Sequence, residues 1–337
     1  MTPAEFLYYL GYTAKKKYSL LHQKVLPHKV ISIGNLTVGG TGKTPAVIAV
    51  AEEAKKRGYR PVILTRGYRG KAKGPCLVSN GSSILLSAEA AGDEPLVMAE
   101  RLRDVAVVKS ADRYEGGVFT MQHPWGKDPH MLFILDDGFQ HWRLSRDIDI
   151  VLVDGKNPFG NRKMLPAGPL RGPMTELKDA DILVISKVKN DALASELHKI
   201  NGNAPVFFAT HEVTGIRQAD GASVDSGLLK DRKILAFCGI AHPASFRMTL
   251  SLLGCTIVDL KQFRDHYQYV SKDIGELEER GRRLGVEFLL TTEKDMVKIR
   301  ELKCAPSNLL SVEIGFSVDK CFYEEVFKMV VHDSDDS

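Results

Sequence analysis

The chain has 337 residues, 44% hydrophobic and 26% charged, a balance that excludes a disordered or collagen-like polymer at a length that leaves room for two domains. Its 46 basic residues against 42 acidic ones leave a net charge of only +4, too weak a global field to mark a nucleic-acid binder, so no nucleic-acid partner is expected. The five cysteines (76, 238, 255, 304 and 321) are scattered without a CxxC pair, which argues against a zinc site or disulfide framework and favours a reducing, cytosol-facing compartment.

The first segment, residues 5–26, reads as an amphipathic helix. Phe6, Tyr9, Leu10 and Thr13 share a face at helical spacing, Leu20 and Leu21 continue it, and Lys15, Lys16 and Lys17 cluster between the apolar ends. Such a helix suits a membrane interface with anionic headgroups. The same pattern suits a helix packed on the domain with a solvated lysine turn. No apolar run in the chain approaches the roughly 18 residues of a spanning helix, and the N-terminus lacks the pattern of a cleaved signal.

From Val30 the pattern becomes strand, loop, helix. Val30–Ile33 is a short β-rich run, a glycine-rich loop follows, and Pro45–Arg57 carries helical periodicity. Pro61–Thr65, Val105–Val108, Met131–Leu135, Asp149–Val153 and Asp181–Ile185 read as further strands. Their near-continuous apolar runs are those of strands buried on both faces of a parallel sheet. Helical stretches between them predict an α/β fold with a mostly parallel, doubly wound sheet. After Ala204 the rhythm changes. An extended segment runs from Pro205 to about Gln218, and a polar, turn-rich stretch occupies 219–227. Strand–helix alternation then resumes: Lys233–Phe237, a helix after Pro243, Thr256–Asp259, a charged helix over Ser271–Leu284, and Glu287–Leu290. Leu309–Ile314 is a last extended run, able to pair with the segment near 207–218. The expected organisation is a larger domain over 1–206, a two-stranded linker of 207–218 and 308–318, a smaller α/β domain over 228–307, and a C-terminal helix with an acidic tail over 319–337.

Chemistry concentrates first in Thr37-Val38-Gly39-Gly40-Thr41-Gly42-Lys43-Thr44, between a predicted strand and a predicted helix. In that context a glycine-rich loop turns backbone N–H groups onto phosphate oxygens, and the helix dipole adds to them. Lys43 is placed to reach the β and γ phosphates, and the Thr44 hydroxyl to bind Mg²⁺. The usual motif opens on Gly where this chain has Thr37. A second acid is supplied where Met131–Leu135 runs into Asp136 and Asp137, aimed at the carboxyl edge of the sheet. Adjacent strand residues face opposite sides, so a shared role requires the strand to end there, as Gly138 suggests. No guanine-type Asn/Thr-Lys-x-Asp element accompanies the loop. Ser186-Lys-Val-Lys189 lacks the Asp and Thr292-Glu-Lys-Asp295 has the wrong spacing, so the nucleotide expected is ATP.

Six further blocks join the run from Ile33 to Pro45: Thr65-Arg-Gly-Tyr-Arg-Gly70, Gly92-Asp-Glu-Pro95, Asp136-Asp-Gly-Phe-Gln-His141, Leu165-Pro-Ala-Gly-Pro-Leu-Arg171, Phe263-Arg-Asp-His-Tyr267 and Thr291-Thr-Glu-Lys-Asp295. In this order, over residues 31 to about 298, they resemble the tetraacyldisaccharide 4'-kinase (lipid A 4'-kinase) family. The phosphate loop is generic, whereas the blocks ending in His141 and Arg171 are specific. Gly172 departs from the pattern, which has an acidic residue there.

The resemblance implies two α/β/α sandwich domains, the larger carrying the phosphate loop, joined by a two-stranded linker. It implies ATP-dependent phosphorylation, with Mg²⁺, of the 4'-hydroxyl of a lipid A disaccharide precursor. It also implies peripheral attachment to the cytoplasmic face of the bacterial inner membrane. Asp93 is then the base that takes the hydroxyl proton, paired with His266 of the second domain, and Glu94 helps Thr44 and Asp136 hold Mg²⁺. Lys43 and Asp137 belong to the catalytic set. Arg66 and Arg113, like Arg69, are expected in loops after strands, with Arg66, Arg113, Gln140 and His141 as substrate contacts. By itself Gly92–Pro95 also reads as a helix start, with Asp93 as the cap and Pro95 in the first turn. A soluble ATPase or ligase and a nucleotide sensor also fit the loop, but neither accounts for the downstream blocks.

Overall fold

A computed structural model of the chain describes residues 2–332; the acidic tail expected at Asp333–Ser337 lies outside the described residues. The first helix, α1 (Pro3–Leu21), begins on a capping box. The Thr2 hydroxyl accepts from the Glu5 amide and the Glu5 carboxylate from the Thr2 amide, with Pro3 at the first helical position, where its missing N–H costs nothing. The helix expected to run to residue 26 stops at Leu21. Lys24 then bridges to Leu144, and Leu26 is buried in the core.

The strands among the described residues are β1 (Val30–Asn35), β2 (Arg60–Thr65), β3 (Cys76–Ser79), β4 (Ala106–Lys109), β5 (Met131–Asp136), β6 (Ile148–Asp154), β7 (Ile182–Ser186), β8 (Val206–Gln218), β9 (Ser223–Val224), β10 (Lys233–Cys238), β11 (Thr256–Gln262), β12 (Phe288–Thr292) and β13 (Leu309–Val318). The helices after α1 are α2 (Lys43–Lys56), α3 (Ala88–Ala91), α4 (Asp93–Arg101), α5 (Arg113–Met121), α6 (Asp191–Ile200), α7 (Pro243–Leu252), α8 (Ser271–Leu284), α9 (Glu293–Glu301) and α10 (Lys320–His332). The fold is mixed α/β around a large, mostly parallel sheet, in the order β11-β10-β12-β13-β8-β7-β6-β1-β5-β2-β4-β3. Only the pairings of β3 with β4, β8 with β13 and β8 with β9 are antiparallel.

The extended segments expected to pair as a linker also join the strands on either side into one sheet. β8 starts parallel to β7, from Leu183 opposite Val206 to Ser186 opposite Ala209, and then continues antiparallel to β13, from Ala209 opposite Val318 to Gln218 opposite Leu310. The sheet therefore continues through the extended pair at 206–218 and 309–318, with one register shift between Glu313 and Ile314. Helix α10 folds back on the N-terminal part: Phe322, Val326, Phe327 and Val330 join the core of α2 and β1, and Tyr59 stacks on Phe327 at 5.7 Å.

Strand burial follows sequence closely in the centre. Every residue of β1, β5 and β7 is buried, as continuous apolar runs require when helices cover both faces. β1 lies between β5 and β6; its connection runs to β2 beyond β5, whereas that of β5 runs to β6 beyond β1, and the crevice at the carboxyl ends of such a pair is where ligands of open α/β sheets bind. The loop after β1, the end of β5, and the starts of α4 and α9 all meet there.

Candidate active site

The phosphate loop is held from two sides. Gly39 (φ 112°) and Gly42 (φ 87°) adopt left-handed conformations, and Gly42 caps α2, whose first residue is Lys43. The Val38 amide donates to the Pro169 carbonyl at 2.8 Å and the Arg171 amide to the Leu36 carbonyl at 2.8 Å, so the 165–171 block straps the loop. The Ser186 hydroxyl donates to the Thr41 carbonyl at 2.8 Å, giving the end of β7 a task unrelated to base recognition. A Cβ on Gly42 would meet His211 Nε2 at 2.1 Å, and its φ of 87° is one that L side chains rarely adopt.

Asn35, which sequence reasoning passed over, is fully buried and connects this assembly. Its amide donates to the Thr37 carbonyl at 2.7 Å, its Oδ1 accepts from Lys43 Nζ at 3.0 Å, and its carbonyl accepts from Gln140 Nε2 at 2.8 Å. Gln140 thus braces β1.

β5 ends at Asp136, and Asp137 turns away with φ 52°, so the two carboxylates divide roles. Asp136 is buried and accepts from Thr65 Oγ1 at 2.8 Å. Burial first, and then the nearby Glu94 and Asp137, push its carboxyl up to about 6. Asp137 binds Arg171 at 2.7 Å and Lys43 at 3.3 Å. Burial acts to raise its pKa, but those two cations overcome it and hold the group well below the usual carboxylate range.

Asp93 is the first residue of α4, behind Gly92 at φ 94°, so Gly92 and not Asp93 occupies the cap position. Its side chain is 7% exposed, with Oδ2 2.7 Å from His266 Nδ1. His266 stands beyond β11 with its own amide donating to the Gly239 carbonyl at 2.9 Å. The hydrogen bond to Asp93 raises the imidazole pKa, with burial opposing it. Asp93 itself is lowered: burial works against the charge, but the His266 hydrogen bond and the neighbouring Lys294 and Lys298 outweigh it. Lys298 is 3.9 Å from Asp93 and 2.9 Å from the fully buried Asp295, which accepts the Gly239 amide at 2.9 Å. Asp93, His266, Gly239, Asp295 and Lys298 therefore form a closed ring across the β8–β13 divide. Lys294 pairs with Glu94 beside it.

The expected substrate contacts are placed differently from one another. Arg66 is exposed on the loop after β2, next to Arg69, whose guanidinium donates to the Asp265 carbonyl at 3.1 Å. Arg113 is a correction. It is no loop cation but the first residue of α5, 3% exposed, capped by Asp112, with its guanidinium donating to the carbonyls of Ala111 at 3.1 Å and Asp136 at 3.0 Å. That geometry props the end of β5 and leaves Arg113 little to offer a substrate. His141 Nε2 accepts the Arg113 amide at 3.2 Å; burial and the Arg113 charge bring its pKa down to about 4, so it is neutral. The departure at Gly172 has a packing cause, since a Cβ there would meet the Tyr12 hydroxyl of α1 at 2.3 Å.

Residues 1–331 match the family model described as tetraacyldisaccharide-1-P 4'-kinase. The chain belongs to the tetraacyldisaccharide 4'-kinase family. It is therefore a kinase, and its similarity to other members extends over nearly its whole length. A tetraacyldisaccharide 4'-kinase from Syntrophus aciditrophicus is 39% identical over 90% of this chain and 85% of that protein. One from Chlorobium luteolum is 36% identical over 99% of this chain and 98% of that protein. The crystal structure of LpxK from Aquifex aeolicus in complex with ATP superposes with a TM-score of 0.79 at 34% identity, covering 97% of this chain and 98% of that one.

Proposed function

We propose that this kinase transfers the γ-phosphoryl group of ATP to the 4'-hydroxyl of a tetraacyldisaccharide 1-phosphate, with the acceptor hydroxyl at Asp93. The observation that carries the reading is the 2.7 Å contact between Asp93 and His266, which sets a buried carboxylate beside the phosphate loop and fixes its orientation from the far side of the cleft. A sugar hydroxyl is a poor nucleophile. Asp93 accepts its proton as the phosphoryl group moves, and His266 holds the carboxylate and shares that proton. The backbone amides from Gly39 to Thr44 bind the phosphates, and Lys43 neutralises charge on the bridging and terminal oxygens. Arg171 holds Asp137, which in turn positions Lys43. Arg66, at the exposed rim, contacts the phosphate already on the acceptor, while Gln140 and His141 line the sugar side.

The donor set suits Mg²⁺. Thr44 offers a hydroxyl, and Glu94 and Asp136 offer carboxylates, Asp136 from a buried position at the end of β5. Magnesium takes one or two carboxylates together with substrate phosphates and water, so no larger protein cage is needed. When bound, the ion screens the phosphate oxygens and withdraws charge from the leaving group. The test is incubation with labelled ATP and a monophosphorylated tetraacyl disaccharide in detergent. Transfer of label to lipid is expected, and its absence overturns the reading.

The acceptor is a lipid, and α1 offers a surface for its membrane. Glu5, Tyr8, Tyr12 and Lys16 face the protein: the Glu5 carboxylate accepts the Met164 amide at 2.9 Å, the Tyr8 hydroxyl donates to the Arg171 carbonyl at 2.9 Å, and Lys16 pairs with Glu176 and Asp179 at 2.7 Å each. Phe6, Leu7, Leu10, Tyr18 and Leu21 face outward and are all exposed. The sequence pattern had put Tyr9 on the outer face and Lys16 among the headgroup contacts; both instead turn inward. No helix among the described residues is long and apolar enough to cross a membrane. Peripheral attachment through the outer face of α1, on the cytoplasmic side of the inner membrane, is the reading we favour. Deleting residues 1–26 is a poor test, because Leu26 and Tyr12 belong to the core. Replacing Phe6, Leu7 and Leu10 together with serine removes apolar area at ~25 cal/mol per Å² without touching the packed face. The triple variant is expected to shift from vesicle-bound to free in flotation assays, with the remaining binding salt-sensitive. Unchanged flotation would mean that α1 is not the anchor.

A further inference from the structure

Lys294, the second residue of α9, takes no part in the mechanism above. We infer that its ammonium is a catalytic cation, delivered by the C-terminal part of the chain, that contacts the transferring phosphoryl group between Lys43 and Asp93. The inference rests on the kinase reading given above.

The placement carries it. Lys294 pairs with Glu94 and lies close enough to Asp93 and Asp136 to act on both carboxylates. Lys43, from the phosphate loop, acts on the same Glu94 and Asp136. Glu94 is therefore in direct contact with the Lys294 ammonium and within reach of the charge of Lys43. On one side is the grip on the β and γ phosphates, and on the other the pair that receives the hydroxyl proton. A cation between them lies where the phosphoryl group must pass, and the equatorial oxygens of that group carry the transition-state charge.

The interface does not need Lys294 as a fastener. α9 is tied down by other contacts: Arg101 to Glu293 at 2.9 Å, the Ile314 amide to Glu293 at 2.8 Å, the Ala88 amide to Glu301 at 2.5 Å, and Arg300 to Glu100. One turn further on, Lys298 illustrates a structural lysine, 3% exposed with its ammonium committed to Asp295 and Asp93. The Lys294 side chain is 34% exposed, and its flexible stem can carry the ammonium from Glu94 to a phosphate oxygen once a metal–nucleotide complex neutralises that carboxylate. The cation then comes from outside the phosphate-loop segment, as with a cationic finger supplied to a nucleotide site.

The test compares wild type, Lys294→Met and Lys294→Arg in three measurements: lipid phosphorylation, Mg²⁺–ADP affinity, and Mg²⁺–ADP affinity with aluminium fluoride, which mimics the transferring phosphoryl group. Lys294→Met is expected to lose ~10³-fold in kcat, within the range seen for cationic fingers. Its ADP affinity should match wild type, and it should lose the extra affinity that aluminium fluoride confers. Lys294→Arg should recover part of both. Normal aluminium fluoride binding by Lys294→Met, or a parallel loss of ADP affinity and thermal stability, would overturn the inference and leave Lys294 an interface contact. Failure of the wild type to phosphorylate the lipid would instead overturn the kinase reading, and this inference with it.

Discussion

Lys43→Ala is expected to lower kcat by ~10²–10³-fold or more, by analogy with the loss of a preorganised transition-state donor. The ammonium lies at the first position of α2, 3.0 Å from Asn35 Oδ1 and 3.3 Å from Asp137 Oδ1. Its removal withdraws positive charge from the phosphate-binding end of the site and leaves Asn35 Oδ1 without that donor. The structural cost is contained. Asp137 keeps both contacts to Arg171, and an unpaired buried acceptor costs about 1–3 kcal/mol, less than the stability of a domain of this size. The variant should therefore melt cooperatively at a modestly lower temperature while failing to transfer phosphate. Turnover near that of wild type would mean that residues 37–44 are not the catalytic phosphate loop.

The parts of the molecule that were legible in the sequence are those whose signal is local. Central strands such as β5 and β7 are apolar runs buried on both faces, and the run is itself the signal. The phosphate loop is a contiguous motif whose meaning depends only on the strand before it and the helix after it. β3 and β9, of four and two residues, carry no periodicity to read. Two helix starts carry an ambiguous local signal. Asp112-Arg-Tyr-Glu115 and Thr292-Glu-Lys-Asp295 are both helix-start signals, a capping residue followed three positions later by an acid. The first also fits a loop after a strand, a pattern that puts Arg113 in the open. The second fails as a guanine element and stands as one block of the family resemblance, and neither reading places α9 or its lysines. In the structure Thr292 caps α9 by accepting the Asp295 amide at 3.2 Å, and that cap aims Lys294 and Lys298 at the acids of α4. The remaining site residues are joined only by tertiary structure. Asn35 ends β1, Lys43 opens α2, and Asp137 and Arg171 come from two later loops, and nothing local in any of them announces the others.

The contact between Asp93 and His266 spans 173 positions of sequence, and its removal gives the second large expected effect. His266→Ala should lower kcat by at least ~10²-fold, the low end for general acid–base assistance. ATP affinity should hardly change, because the phosphates are gripped by the loop after β1, far from this imidazole in the chain. Doubling the change with Asp93→Ala should cost less than the product of the single losses, since two groups that handle one proton act as a unit. Fully multiplicative losses would show the two acting independently, and a near-normal rate for His266→Ala would reduce the histidine to a packing residue against Tyr68, 5.6 Å away ring to ring. The same pair has a pH signature in stability. His266 is raised above its ordinary 6.5, so its contribution is complete below that value and fades as pH rises through the higher folded-state pKa. Asp93 is depressed below its ordinary 3.8, so its contribution is complete above that value and is lost as pH falls through the lower folded-state pKa. Between those two ordinary values both charges are present and paired. The melting-temperature gap between wild type and His266→Ala should be widest in that window and narrow as the imidazole loses its proton at higher pH. A gap that stayed constant across the window and above it would mean that the imidazole holds Asp93 without its charge.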